Sequence, residues 1–239
     1  AILTSLRASS VENGYQSDAF DQFLRNREII AARYEQKYAG TTYPSTGFMS
    51  GHPLAGRPYD SNNGRINKSS PDVMIPAFLA AYTGSNAGNI ALTAFPDMSA
   101  ILPNWRITYD GLMQIPAIKE HFKNFTINHA YQCTYAVGSY SSFMNWINTG
   151  GNDMGFTLDE LSGNPVPSSP YDIQSVTLTE RFAPFIGVNA TMKNNITIRA
   201  EYNDSRVLTL NSSAGQLVEA NTTDITVGVS YKIADFNKI

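Results

Sequence analysis

The residues of this sequence whose side chains could perform chemistry are few and widely separated. The three histidines, His52, His121 and His129, share no spacing typical of a metal site or a catalytic pair. The motifs GxSxG, GxxxxGK[ST] and HExxH do not occur. The sequence therefore predicts no catalytic residue, no cofactor-binding residue and no metal ligand, and it indicates a protein that is not an enzyme.

Four side chains with oxygen atoms form a candidate calcium site. Asn152, Asp153, Asp159 and Glu160 fall within one predicted loop, and carboxylate and amide oxygens suit Ca²⁺. Their spacing differs from that of an EF-hand loop, and we interpret them as a solvated loop without a metal.

The single cysteine, Cys133, can form neither an internal disulfide nor a cysteine cluster for zinc. It occupies a predicted strand position among apolar neighbours. We therefore expect a small buried apolar side chain.

Composition excludes some classes of partner. The formal net charge is −3 and the pI is about 5.6, without the basic stripe of a nucleic-acid-binding protein, so we expect no nucleic-acid partner. Charged residues make up 15%, below the roughly 25% of ordinary soluble domains. With thirteen Tyr and twelve Phe, this composition is typical of all-β proteins, outer-membrane barrels included. The sequence contains no run of about 18 apolar residues, so it predicts no transmembrane helix.

The sequence predicts two segments that differ in secondary structure. Residues 1–102 mix helix and loop. Apolar residues at helical spacing predict a helix over 20–38 with Asp18 as N-cap, and a second, short helix over 73–84 with Pro76 in its first turn. The stretch between Gly40 and Pro71 is rich in Gly, Ser, Asn and Pro and predicts a long loop.

From Asn104 onward, apolar and polar residues alternate with the period of a β-strand. The alternation predicts five strands, over 103–110, 124–138, 175–192, 196–210 and 216–233, in an antiparallel meander. A sixth strand is a candidate at Ile2 to Leu6. We therefore divide the chain into a helix and loop segment, 1–102, and a strand segment, 103–239.

Two turns set the register of the last three strands. A three-residue turn, Lys193 to Asn195, pairs Met192 with Ile196, whereas a two-residue turn would oppose apolar to polar residues. A turn near Ser212 to Gly215 then pairs Tyr202 with Ile225. Both hairpins keep one continuous apolar face.

The two faces of the last hairpin predict two environments. The apolar band is nine residues long, which at about 3.3 Å per residue and a 45° tilt spans about 21 Å, close to the band of about 25 Å on outer-membrane barrels. The predicted lipid-facing residues are Ile196, Ile198, Ala200, Tyr202, Ile225, Val227, Val229 and Tyr231. The predicted lumen-facing residues are Thr197, Arg199, Glu201, Thr226, Gly228 and Lys232. The alternative is a soluble β-sandwich whose polar face meets solvent.

Strand number and turn length extend the membrane hypothesis. Single-chain bacterial barrels have at least eight strands. The five or six strands predicted here therefore indicate a fragment, or a barrel that is completed by another chain. Barrels of this class have short periplasmic turns and long extracellular loops. If 193–195 is periplasmic, 138–174 is extracellular, and 16–102 is either extracellular or folded into the lumen.

Several strings of the sequence resemble the C-terminal part of the SprA/Sov family. They are IPAFLAAYTG, LPNWRITYDGL, FTINHAYQCTYAVGSY, ERFAPFIGVNATMKNNITIRAEYNDSR and VGVSYKIADF. The similarity covers most of the chain from about Phe20 onward. The string from Glu180 to Arg206 is long enough to be specific.

The resemblance implies a function. The family is the giant outer-membrane translocon of the type IX secretion system, linked to gliding motility, with a transmembrane β-barrel of about 36 strands. It implies a pore that passes folded cargo proteins across the bacterial outer membrane, with membrane lipid, a plug protein, a PorV-like barrel and the remaining strands of the same translocon as partners. It brings no catalytic residue and no cofactor. The family's chain is much longer and continues past Phe236, so we expect this chain to be a fragment.

A second function class remains open. A soluble all-β binding module, for example one for glycans, would use exposed aromatic side chains such as Trp105, Tyr140 and Trp146. Such a module needs no detergent, whereas a membrane barrel does.

Overall fold

The computed structural model describes residues 17–93, 95–96, 104–149 and 154–233. These residues form mostly antiparallel β-sheet, with fewer residues in helices. The chain divides into two compact units. The first unit takes in the described residues of 1–101, 136–176 and 209–217, and the second unit takes in those of 102–135, 177–208 and 218–239.

The larger sheet has five strands in the order β1-β2-β6-β7-β8, and a small sheet has the order β3-β4-β5. The strands are β1 Trp105–Tyr109, β2 Phe122–Ser142, β3 Ile147–Asn148, β4 Gly155–Leu158, β5 Pro165–Ser168, β6 Tyr171–Met192, β7 Ile196–Asn211 and β8 Gln216–Tyr231. The meander prediction is confirmed, since the five strands of the larger sheet lie in sequence order with only the small sheet inserted.

The predicted strand bounds differ from the observed ones by a few residues. The alternation did not predict β3, β4 and β5, because strands of two to four residues are too short to show a period. The candidate strand at Ile2 to Leu6 lies outside the described residues. Within those residues β1 and β8 are the edge strands and the sheet does not close, so the barrel stays a proposal.

The turn between β6 and β7 has three residues, as predicted. Asn195 adopts φ +67°, the left-handed conformation that ends a three-residue hairpin loop. The hydroxyls of Thr191 and Thr197 lie 3.2 Å apart across the hairpin, which fits the predicted pairing of Met192 with Ile196.

The turn between β7 and β8 has four residues, 212–215, and Gly215 adopts φ +63°. Asn203 Nδ2 donates to Asp224 Oδ1 at 3.1 Å, and Thr223 Oγ1 donates to Asp204 Oδ1 at 3.0 Å. Both contacts fit the register that places Tyr202 opposite Ile225.

Helices α1 (Asp18–Tyr38) and α2 (Pro71–Thr83) lie in the first unit. The prediction of Asp18 as N-cap is wrong, because Ser17 Oγ accepts the N–H of Phe20 and Asp18 is already helical. The position predicted for Pro76 is also wrong. Helix α2 begins at Pro71, so Pro76 lies in the helix interior.

The predicted loop before α2 is compact. Two 3-10 turns, 47–49 and 61–63, and a bridge between Thr42 and Pro58 interrupt it. Its aromatic rings pack around Phe156 of β4, and this cluster consists of Tyr38, Tyr43, Tyr59 and Phe156 with ring centroids 5.1–5.9 Å apart. Tyr38 also donates its hydroxyl proton to Gly155 O at 2.8 Å. Helix α1 therefore packs on the segment between β2 and β6.

The second unit contains β1 paired with β2 in a register that opposes Trp105 to Tyr131 and Tyr109 to Ile127. A 3-10 turn, 111–114, and a short helix α3 (Pro116–His121) connect the two strands. Among the described residues, no helix has the length and apolar character needed to cross a membrane.

Candidate membrane-facing surface

Strand β8 presents a row of exposed apolar side chains. Ile225, Val227, Val229 and Tyr231 expose 74%, 67%, 70% and 64% of their surface. They alternate with small or polar residues, so they project from one side of the strand. A contiguous apolar row of this kind on a folded protein marks a surface that meets lipid or another protein.

The neighbouring strand β7 continues this apolar face. Ile196, Ile198 and Ala200 are half-buried, and Tyr202 is exposed with its ring edge-on to Phe185, 5.9 Å between centroids. The eight residues predicted to face lipid are thus adjacent on two paired strands. Their contact with lipid stays a prediction.

The opposite face of the same hairpin is polar. Arg199 is exposed and forms an ion pair with Glu201, 2.6 Å between Nη2 and Oε1. Thr197 is half-buried, while Thr226, Gly228 and Lys232 are exposed. These six residues form the surface that the alternation assigned to a lumen, and that assignment also stays a prediction.

A buried charged cluster lies in the second unit, where the apolar band ends. Glu180 and Arg206 are both buried, with Arg206 Nη1 3.8 Å from Glu180 Oε2. Arg206 Nε lies 3.1 Å from Glu219 Oε1. Tyr131 donates its hydroxyl proton to Glu180 Oε1 at 2.9 Å. We call Tyr131, Glu180, Arg206 and Glu219 the charged cluster.

Aromatic rings flank the charged cluster. Trp105 stacks on Tyr131 at 4.4 Å between centroids, and Phe182 packs on the same ring at 4.8 Å. Carboxylates and a guanidinium in such surroundings are tolerated because they form ion pairs and because Glu180 Oε1 accepts the hydrogen bond from Tyr131.

The sequence indicated only part of this cluster. The register of β7 and β8 opposes Arg206 to Asn221 and makes Glu219 a diagonal neighbour, within reach of a long side chain. The pairing of Met192 with Ile196, extended along β6, opposes Arg206 to Phe182 and makes Glu180 a diagonal neighbour as well. The approach of Tyr131 could not be extrapolated in this way, because β3, β4 and β5 separate β2 from β6 in sequence.

The residues considered for chemistry do not assemble in the described part of the chain. No group of three or more His, Cys, Asp or Glu side chains there is placed to hold a metal ion. His129 lies against the carbonyl of Phe185 at 2.6 Å, and Asp159 accepts from Ser162 Oγ at 2.5 Å. Asn152 and Asp153 lie outside the described residues. Cys133 is buried, as predicted.

The aromatic residues of the glycan hypothesis make packing contacts, and Tyr140 also keeps 56% of its surface exposed. Trp146 donates its indole N–H to Ser168 O at 2.9 Å, and Tyr140 packs edge-on against Tyr171. Trp105 stacks within the second unit.

The first unit contains a cavity of about 950 Å³. Phe143, Tyr171, Arg65 and Asp72 are among the residues that line it. Burial raises the pKa of Asp72, and the backbone N–H of Ser169, 3.0 Å from Oδ2, partly offsets this.

No family model matches the chain, and no curated protein matches it.

Proposed function

We propose that this chain is part of a transmembrane β-barrel in the bacterial outer membrane, and that the barrel is a protein-conducting translocon of the type IX secretion class. In this proposal β1, β2, β6, β7 and β8 are successive barrel strands. The remaining strands of the same translocon complete the barrel.

The observation that carries the proposal is the exposed apolar row on β8. Burial of the four side chains of this row would stabilise the protein by roughly 25 cal/mol per Å² of apolar area. In the described chain these side chains remain exposed. Lipid hydrocarbon supplies that burial without a partner of fixed shape. The polar opposite face, with Arg199 and Glu201, suits water in a pore.

The position of aromatic residues on the apolar face supports the same conclusion. The row on β8 runs from Ile225 to Tyr231, and Tyr202 of β7 lies opposite Ile225. Tyr202 and Tyr231 therefore lie near opposite ends of the apolar face, where aromatic side chains suit the head-group region of a membrane. The charged cluster follows the end of the row, where a lipid-facing surface would leave the hydrocarbon.

The translocon assignment rests on the resemblance of the string from Glu180 to Arg206 to the SprA/Sov family. It gives the proposed partners their identity, namely a PorV-like barrel, a plug protein and secreted cargo proteins. It also supplies the link to gliding motility.

Substitution of the polar face in the native host tests the translocon assignment. Thr197→Arg and Gly228→Arg place long cations on the proposed lumen side. We expect the chain to accumulate in the outer membrane at its normal level while the delivery of folded cargo proteins to the cell surface falls. Ser213→Arg, in the exposed turn after β7, is the matched control and should leave export unchanged.

Normal export in both polar-face variants, at normal protein levels, would contradict a protein-conducting lumen. Recovery of the chain in the soluble fraction would contradict the membrane location itself.

A soluble binding module remains the second candidate, and the cavity of the first unit is the observation that favours it. Its volume falls within the range of small-molecule sites, and aromatic rings contribute to its lining. Purification separates the two candidates. A binding module stays monodisperse without detergent, whereas a barrel fragment with an exposed apolar row precipitates.

A further inference from the structure

Two arginines of the second unit line one cavity. The cavity has a volume of about 660 Å³, and Arg106 of β1 and Arg181 of β6 both contribute to its lining. Strand β2 lies between these two strands in the sheet. Because adjacent strands are spaced by about 4.8 Å, the backbones of β1 and β6 are about 10 Å apart. We call this site the arginine cavity.

Both arginines project away from the charged cluster. Trp105 stacks on Tyr131 of that cluster, and Phe182 packs on the same ring, so the three rings share one face of the sheet. Arg106 follows Trp105 in sequence, and Arg181 precedes Phe182. Successive side chains of a strand point to opposite faces, so the two arginines lie on the other face.

That other face is the polar face of the last hairpin. Arg206 of the charged cluster and Tyr202 are four residues apart on β7, so both project from the apolar side of the strand. Arg199 and Glu201 project from the opposite side. The five strands form one sheet, so the arginine cavity lies on the face that carries Arg199 and Glu201.

The arginine cavity is lined with hydrogen-bond donors. The donor groups of its side chains are the two guanidinium groups and the amides of Asn104 and Gln132. Asn104 Oδ1 accepts the N–H of Cys133 at 2.6 Å, so its remaining polar group is the donating NH₂. Among the described residues that line the cavity there is no Asp or Glu.

Neither guanidinium group is neutralised by the described part of the chain. Arg106 and Arg181 are exposed, and none of the ion pairs within 4.0 Å between described residues involves them. Arg199, on the same face, is instead paired with Glu201. A cavity with two unpaired cations, further donors and no acid is suited to an anion.

The shape of the donors favours a carboxylate. A guanidinium group is planar, and its parallel N–H groups match the two oxygens of a carboxylate. Ala130 and Ala183 also line the cavity, and their methyl groups leave space between the two arginines.

We propose that the arginine cavity binds carboxylates, and that these are acidic side chains of a polypeptide lying along the polar face. An extended chain carries side chains i and i+2 on one side, about 6.8 Å apart, which two long arginine side chains can reach together. The polypeptide source rests on the proposed translocon function, because a protein-conducting lumen brings polypeptide to this face.

Binding of labelled pentapeptides to the full chain in detergent tests the proposal. One capped peptide alternates three glycines with two glutamates, and its neutral counterpart has two glutamines instead. Fluorescence anisotropy measures both Kd values. We expect the glutamate peptide to bind at least about tenfold more tightly, and Arg106→Gln or Arg181→Gln to weaken its binding about tenfold. Equal Kd values for the two peptides would overturn the proposal.

Two sets of variants separate the cavity from net charge. Arg25→Gln with Arg57→Gln removes two charges from the first unit and should leave peptide binding unchanged. A loss equal to that of Arg106→Gln with Arg181→Gln would overturn the proposal. Ala130→Leu fills the space between the arginines without changing the charge. It should weaken binding at least about tenfold, and unchanged binding would contradict a site in the cavity.

Competition identifies the source of the carboxylates. Free glutarate has two carboxylates and no peptide backbone, so we expect it to need at least about tenfold higher concentration than the unlabelled peptide for the same displacement. Displacement at equal concentration would assign the cavity to a small dicarboxylate and overturn the polypeptide source. Inorganic phosphate that displaces the peptide better than glutarate does would overturn the preference for carboxylate.

Failure of this site and failure of the membrane function give different results. If the chain requires detergent and binds neither peptide, the arginine cavity is overturned and the membrane function stands. If the chain stays monodisperse without detergent, the membrane function fails, and with it the lumen as the source of the polypeptide.

Discussion

Ala200 distinguishes lipid from a packed core at the scale of a single residue. It lies in the apolar band of β7 and is half-buried. Against fluid lipid, Ala200→Leu displaces no fixed neighbour, so we expect almost no change in the free energy of unfolding. Ala77→Leu, at a fully buried position of α2, should cost about 1–3 kcal/mol. Denaturant titrations of the chain refolded in bilayers measure both, and a large loss for Ala200→Leu would count against lipid exposure.

A charge at the same position gives a complementary result. Near the midplane of the bilayer, Ala200→Arg should destabilise by about 2–4 kcal/mol. Thr197→Arg, on the polar face of the same strand, should cost much less because water reaches it. The same bilayer titrations compare the two variants, and equal losses would argue that the faces do not differ in environment.

The charged cluster predicts a strong effect from a single truncation. Arg206→Ala leaves the Glu180 carboxylate buried without its cation, and we expect a loss of about 3–5 kcal/mol. The double variant Glu180→Leu with Arg206→Met should recover most of it. Arg199→Ala, which breaks the exposed pair with Glu201, should cost less than about 1 kcal/mol. If Arg206→Ala lowered the free energy of unfolding as little as Arg199→Ala does, the charged cluster would not be shielded from water.

At the scale of elements, Gly215 tests the hairpin between β7 and β8. A Cβ added at Gly215 or at Gly228 meets nothing within 4 Å, so packing does not distinguish the two positions. Of these two glycines, only Gly215 has a positive φ. Gly215→Ala should therefore destabilise by about 1–2 kcal/mol, while Gly228→Ala should be neutral or slightly stabilising. Unfolding titrations compare them, and equal effects would contradict the left-handed turn.

Helix α2 contains a buried acid that should make stability depend on pH. Because burial raises the pKa of Asp72, the folded chain holds the proton to higher pH than the unfolded chain does. The free energy of unfolding is then unaffected below the ordinary carboxyl pKa and falls as pH rises through the raised value. Asp72→Asn keeps an acceptor for Ser169 and should remove this decline. Urea titrations from acid to neutral pH measure it, and parallel profiles for both proteins would contradict the account.

The elements also show how far the sequence predicts the fold. Strands with many alternating residues, such as β7, and both hairpin registers were predictable, because turn length and alternation constrain each other. The N-cap of α1 was missed by one residue, since Ser17 and Asp18 are both suitable caps, and the start of α2 was missed by two residues. Strands β3–β5 are too short to show a sequence period, and Phe156 of β4 packs against Tyr38 of α1, a residue that is distant in sequence.

At the scale of the whole molecule, the candidate surface was predictable and the charged cluster was predictable only in part. The apolar and polar faces of β7 and β8 follow from sequence, because each alternates over a long run. The approach of Tyr131 to Glu180 depends on the pairing of β2 with β6, which are separated in sequence by β3, β4 and β5, and no local pattern contains that pairing.

The membrane environment of β8 is the central claim, and accessibility of spin labels along this strand tests it most directly. Cys133 is the single cysteine, so a Cys133→Ser background allows one label at a time. Labels are placed at Ile225, Thr226, Val227, Gly228 and Val229 of the full chain in bilayers. Collisions with lipid-soluble oxygen and with a water-soluble nickel chelate are then measured.

The account predicts alternation with a period of two along the strand. Labels at 225, 227 and 229 should meet oxygen and exclude the nickel chelate, while labels at 226 and 228 should meet the chelate. Free access of the nickel chelate to all five labels would contradict the membrane account.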